Sequence, residues 1–314
     1  MRKRTVLAVF LTAGIVMAGV SGCSAGGKSN DVQDTISAAA ETAATTETVK
    51  ETEIETESGE EDEGGEKGKE AEIYRKLPDP AAADGDRILF VGNSHTYTND
   101  LPGVFYEMAL AGGHEVEVFA LTEGYYTLAR YADPEDELGA ELTEALQAEP
   151  WDFVVLQENT NAAISINAKK DMYPYARELD RMIQDAGGQT AFLMTWAPEE
   201  GAGAFSREMV QAMLSAGYQN IARELDALLI PGGLLFEEAL AQDEALDLWR
   251  KDGEHPSEEG TYLAACAAYA LFFQETPAGN PYLFDLDEES AAKLQEIAGA
   301  YMLDSGTTAN EDGV

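Results

Sequence analysis

Residues 87–100 read Arg-Ile-Leu-Phe-Val-Gly-Asn-Ser-His-Thr-Tyr-Thr-Asn-Asp, an apolar run that stops abruptly on polar residues. Four consecutive apolar side chains, Ile88 to Val91, predict a strand covered on both faces, as in the parallel sheets of α/β domains. Such sheets place their ligands at the carboxyl ends of the strands. Gly92-Asn93-Ser94 falls at that position, where the serine either caps the helix that follows or is presented to a ligand.

Working outward from this strand, apolar or alternating runs predict further strands over Glu115 to Leu121, Phe153 to Gln157, Thr190 to Trp196 and Ala227 to Ile230. Between and after them, helical periodicity covers Leu101 to Ala111, Glu137 to Gln147, Met172 to Asp185, Phe205 to Leu225, Glu258 to Gln274 and Glu288 to Met302. Strand and helix alternation of this kind predicts one α/β domain over residues 84–306. Its architecture is a three-layer α/β/α sandwich around a mostly parallel five-stranded sheet.

The chain ahead of that domain has a different character. Arg2, Lys3 and Arg4 precede an apolar run and small residues, the layout of a secretory signal over residues 1–22. Val20-Ser21-Gly22-Cys23 resembles a bacterial lipobox, which implies cleavage before Cys23 and a diacylglyceryl group on its sulfur. Two acyl chains at about 0.8 kcal/mol per buried CH2 anchor a protein stably, so a membrane anchored, extracytoplasmic location is expected at the cell surface or in the periplasm. Residues 23–76, rich in Glu, Thr, Ala and Gly, bury too little apolar surface to offset ordering and are expected to form a disordered acidic tether.

The formal net charge of −39 makes nucleic acid a poor partner. Cys266, the one cysteine besides Cys23, lies in an apolar stretch and is expected to be a small buried hydrophobe. Phosphate-cradling glycine motifs are absent, and His95, His114, His255 and the cysteines lack metal-ligand spacing, so neither a nucleotide nor a structural zinc is expected.

The polar residues that follow each strand carry the chemistry. Strand one yields Ser94; strand two yields Gly124; strand three yields Gln157, Asn159 and Asn161; and a late loop yields Asp252-Gly253-Glu254-His255-Pro256. A carboxylate three residues before an imidazole can fix its tautomer, so that the other ring nitrogen takes a proton from a serine. Backbone N–H groups of Ser94 and Gly124 and a side-chain amide after strand three are candidate oxyanion donors. Trp196, Tyr125 and Tyr126 are candidates to line a pocket, Trp196 by stacking on a sugar.

Gly-Asn-Ser after strand one, glycine after strand two, an amide after strand three and Asp-x-x-His-Pro near the carboxyl terminus resemble the SGNH (GDSL-like) hydrolases, esterases and lipases of flavodoxin-like fold. The likeness spans about residues 86–275. It implies Ser94 as nucleophile, His255 and Asp252 as the rest of a triad, and Gly124 as an oxyanion donor, with no cofactor. Asn93 replaces the usual aspartate. Gln157 stands where a glycine is usual, and Asn159 stands at the oxyanion asparagine, with Asn161 as the other choice.

The expected activity is a serine esterase that removes acyl groups, acetyl foremost, from a carbohydrate or cell-wall polymer. The alternative is a non-catalytic surface lipoprotein that binds a glycan or peptide on the same fold. A two-lobed solute receptor and a flavin binder fit less well, because one folded unit is expected and the first loop lacks a phosphate cradle.

Overall fold

The computed structural model describes residues 73–79 and 86–303. The signal, Cys23 and nearly all of the acidic segment lie outside them. Five strands, β1 (Asp86–Gly92), β2 (Val116–Thr122), β3 (Phe153–Leu156), β4 (Gln189–Leu193) and β5 (Leu228–Ile230), form one sheet in the order β2-β1-β3-β4-β5. Every pairing is parallel.

Alternate side chains of the central strands enter two separate cores. Leu89, Val91, Val154, Leu156 and Phe192 face one side. They pack on helices α3 (Leu128–Tyr131), α4 (Glu137–Ala148), α6 (Ser165–Asp171), α7 (Tyr173–Asp185) and α8 (Arg207–Leu225). Ile88, Phe90, Phe153, Val155 and Leu193 face the other, against α2 (Leu101–Ala111), α9 (Gly232–Gln242), α10 (Glu258–Phe273) and α11 (Glu288–Leu303). Two short helices, α1 (Ser94–Tyr97) and α5 (Thr160–Ala163), sit in the loops after β1 and β3. The sandwich therefore has three layers, and each large apolar side chain fully removed from water contributes roughly 1.5–3 kcal/mol. Cys266 is fully buried in α10, where desolvation pushes its thiol pKa up.

Capping fixes where the principal helices begin. Asp100 accepts from the Gly103 N–H ahead of α2, Asp136 from Leu138 ahead of α4, and Ser257 from Gly260 ahead of α10. The fourth strand is shorter than its apolar run: Met194, Thr195 and Trp196 leave the sheet as buried loop. Helix α9 lies outside the predicted elements; it starts on Pro231-Gly232-Gly233, residue types more usual in turns. Those glycines instead let α9 approach the chain after β4, because a Cβ on Gly233 would stand 2.3 Å from the Thr195 carbonyl oxygen.

Residues 73–79 form a strap at the amino ends of the strands. The Tyr74 hydroxyl donates to the Ala227 carbonyl at 2.9 Å, Arg75 to Met302, and the Asp79 N–H to Gln189 Oε1. Tyr74, Arg75 and Lys76 thus pack on the domain, so the packed chain begins before the tether boundary expected at residue 76.

Candidate active site

In the order β2-β1-β3, the chain leaves β1 with one neighbour on each side, the point at which an open parallel sheet offers a crevice beyond its carboxyl ends. Ser94 opens α1 there, half-buried. Asn93, 1% exposed, sets the turn. Its Oδ1 accepts from the His95 N–H at 3.2 Å, and its Nδ2 donates to the Tyr126 carbonyl at 2.9 Å. The second bond ties the serine loop to the loop after β2, and an aspartate could not make it. Asn93→Asp should therefore cost about 1–3 kcal/mol. Thermal unfolding checks this, at roughly 2–4 °C per kcal/mol for a domain of this size.

Gln157 lies beneath the serine turn, 1% exposed. Its Oε1 accepts from the Asn93 N–H (2.8 Å) and the Thr96 hydroxyl (2.9 Å), while its Nε2 donates to the Glu158 carbonyl (2.7 Å). The side chain is a brace between the ends of β1 and β3, with both halves of its amide engaged inside the protein, rather than the substrate-facing amide expected. Asn159 is placed differently. Its Oδ1 caps α5 by accepting from the Asn161 N–H at 3.0 Å, which leaves Nδ2 as the donor half of a part-buried amide. Asn161 gives its carbonyl to Asn167 Nδ2, and its own Oδ1 is buried without a partner.

The Gly124 N–H donates to the carboxylate of the neighbouring Glu123 at 2.8 Å. Beside it Tyr125 is held at φ 60°, 82% exposed, and the Tyr97 hydroxyl lies 3.3 Å from where a Gly124 Cβ would stand. Tyr126 turns inward and donates from its hydroxyl to Asp136.

Asp252 and His255 form a compact unit. One carboxylate oxygen accepts from the N–H groups of Glu254 and His255, each at 2.9 Å, and the other meets His255 Nδ1 at 3.0 Å. Burial pushes the Asp252 pKa up, but these two N–H groups and the His255 ring outweigh it and hold the carboxyl below the usual aspartate range. Gly253, at φ 68°, supplies the left-handed turn that lets the loop fold back so that the Arg250 N–H reaches the His255 carbonyl at 2.8 Å.

Two links bring this loop to the serine. Asn99 Nδ2 donates to the Pro256 carbonyl and the Thr261 hydroxyl, both at 2.9 Å. The His95 ring lies 5.5 Å from both the His255 and Trp196 rings. Burial first, and then the neighbouring His255, push the His95 pKa down to about 3, so His95 is a neutral spacer. Trp196 is 1% exposed, stacks on Phe236 at 4.4 Å and donates to the Glu254 carbonyl. It supports the histidine loop from within and does not offer the sugar-stacking face expected of it.

Sequence reasoning missed Glu158, which is fully buried between Gln157 and Asn159. A lone Glu in a polar loop gives no sign of burial. Among the described residues no group of three or more His, Cys, Asp or Glu side chains is arranged to hold a metal ion, and no helix is long and apolar enough to cross a membrane.

No protein-family model and no curated protein matches the chain, whereas solved structures do. A candidate SGNH hydrolase from Slackia heliotrinireducens is 27% identical with a TM-score of 0.53, over 60% of this chain and 99% of that one. A DUF4886 family protein from Bacteroides uniformis is 18% identical with a TM-score of 0.57, over 72% of this chain and 98% of that one. With its parallel five-stranded sheet between two helical layers, the chain has the SGNH/GDSL-like hydrolase fold.

Proposed function

We propose that the protein is a serine ester hydrolase that removes acyl groups, acetyl foremost, from a carbohydrate or cell-wall polymer, and that it is held at the membrane by lipidated Cys23. The observation that carries the catalytic reading is the Asp252–His255 contact at 3.0 Å, with the His255 ring 5.5 Å from the ring of His95, the residue after Ser94. The Slackia relative supports hydrolase chemistry in general.

In this reading His255 Nε2 takes the Ser94 hydroxyl proton as Oγ attacks the ester carbonyl, and returns it to the leaving alcohol as the carbon–oxygen bond breaks. Water then attacks the acyl-serine as the same imidazole takes its proton, the bond between the acyl carbon and Ser94 Oγ breaks, the proton passes to Oγ, and the acid leaves. The Ser94 and Gly124 N–H groups and Asn159 Nδ2 stabilise the oxyanion. Glu123 must release the Gly124 N–H for this, so substrate and Glu123 compete for one donor. The exposed rings of Tyr97 and Tyr125 suit stacking on a sugar.

A fluorophosphonate probe tests the assignment. One adduct should form on Ser94, be lost in Ser94→Ala and form far more slowly in His255→Ala. Absence of an adduct on folded protein would move the glycan- or peptide-binding lipoprotein reading to first place.

A further inference from the structure

We propose that Glu158 is a positioning residue for the oxyanion side of this site: its buried carboxylate clasps the loop after β2 to the loop after β3 and so holds Asn159 in register with Gly124. The inference rests on the esterase reading above. Glu158 Oε1 accepts from the Asn159 N–H at 2.6 Å, and Oε2 accepts from the Leu128 N–H at 3.1 Å. Asn159 carries one candidate donor, and Leu128 opens α3 four residues beyond the other, Gly124. The Glu158 main chain is fixed as well, since Tyr218 of α8 bonds to both its N–H and its carbonyl.

The arrangement is costly. Glu158 has 0% exposure, both clasping bonds come from uncharged N–H groups, and Asp171 at the end of α6 adds like charge. Only a carboxylate accepts equally well at both ends. Glutamine would turn an NH2 group toward one of the two N–H donors, and a protonated acid accepts weakly on its hydroxyl oxygen. A buried carboxyl that fastens the two oxyanion loops through two backbone N–H groups fits a requirement of the site better than a requirement of the core.

Desolvation pushes the Glu158 pKa up to about 8, against the two N–H bonds and with Asp171. Activity and stability should therefore run in opposite directions. The clasp tightens as pH rises through about 8, so kcat should increase there with KM little changed. Because the folded pKa is raised, the stability contribution of this group is full below the ordinary glutamate range and is lost as pH rises to about 8.

The experiment compares the full chain with its Glu158→Gln variant in 4-nitrophenyl acetate hydrolysis and thermal unfolding from pH 5 to 9.5. Glu158→Gln should lower kcat about tenfold at pH 9, where the parent carboxyl is ionised, remove the rise near pH 8, and unfold at a higher temperature than the parent at pH 9. A merely damaged core would not be slower and more stable together. In the parent chain the backbone amide resonances of Asn159 and Leu128 should titrate together near pH 8, a readout that stands even if the variant fails to fold. Independent or flat titration overturns the inference. So does Ser94-dependent turnover with an unchanged kcat and pH profile in Glu158→Gln. Absence of Ser94-dependent turnover in the parent overturns the esterase reading itself.

Discussion

Ser94→Ala lowers kcat for 4-nitrophenyl acetate by about ten-thousand-fold or more while leaving the thermal transition essentially in place. The rate effect is large because the acyl-serine path disappears, and what remains is water attacking an ester bound beside the oxyanion donors. The stability effect is small because of where Ser94 sits. It is half-buried at the start of α1, and the bond it is seen to make there is through its backbone carbonyl, which accepts from the Thr98 N–H. Alanine keeps that bond and favours helix slightly more than serine. Steady-state hydrolysis alongside an unfolding curve checks both halves, and equal turnover in the variant would remove Ser94 from the mechanism.

Asp252→Asn should cost about as much, close to ten-thousand-fold, for a different reason. The amide oxygen can still accept from the Glu254 and His255 N–H groups, so the loop should keep its shape. The NH2 group then faces His255 Nδ1 and donates to it. That bond selects the tautomer whose proton is on Nε2, the nitrogen that must receive the serine proton. Loss of rate with an intact fold is the signature to seek, by kinetics and circular dichroism. The pH dependence follows from the direction of the Asp252 shift. A carboxyl held below its ordinary range keeps its contribution above the unfolded aspartate pKa and loses it as pH falls through the lower folded value. The parent loop should therefore survive mild acid, and the pH dependence due to Asp252 should be absent in Asp252→Asn.

Much of the fold was legible because its signals are local. Ile88 to Val91 and Phe153 to Leu156 are apolar on both strand faces, and that pattern belongs to a sheet covered twice. Leu101–Ala111 was read with its observed bounds, since Asp100 and Pro102 mark its start and Gly112-Gly113 its end. Helix α9 was missed because Gly232 and Gly233 serve a tertiary contact that mimics a turn. That omission carried through to Trp196, whose burial depends on Phe236 of the unforeseen helix.

The site divides along the same line. Ser94, Asp252 and His255 stand out as candidates in the sequence because strand ends and short loop spacings are one-dimensional features. Gln157 and Glu158 are not, because their roles are made by partners far away in sequence. Thr96 and Asn93 lie some sixty residues before Gln157, and Leu128 lies thirty before Glu158.

The strap gives the molecule two poles with separate mechanical duties. Tyr74, Arg75 and Lys76 grip Gln219, Ala227, Met302 and Asp226 at the amino ends of the strands, opposite the loops that carry Ser94 and His255. A pull on the chain ahead of Ile73 loads that clasp before it reaches β1. The clasp acts as a strain relief for β1, and the loops that carry Ser94 and His255 lie at the other end of the sheet, away from it.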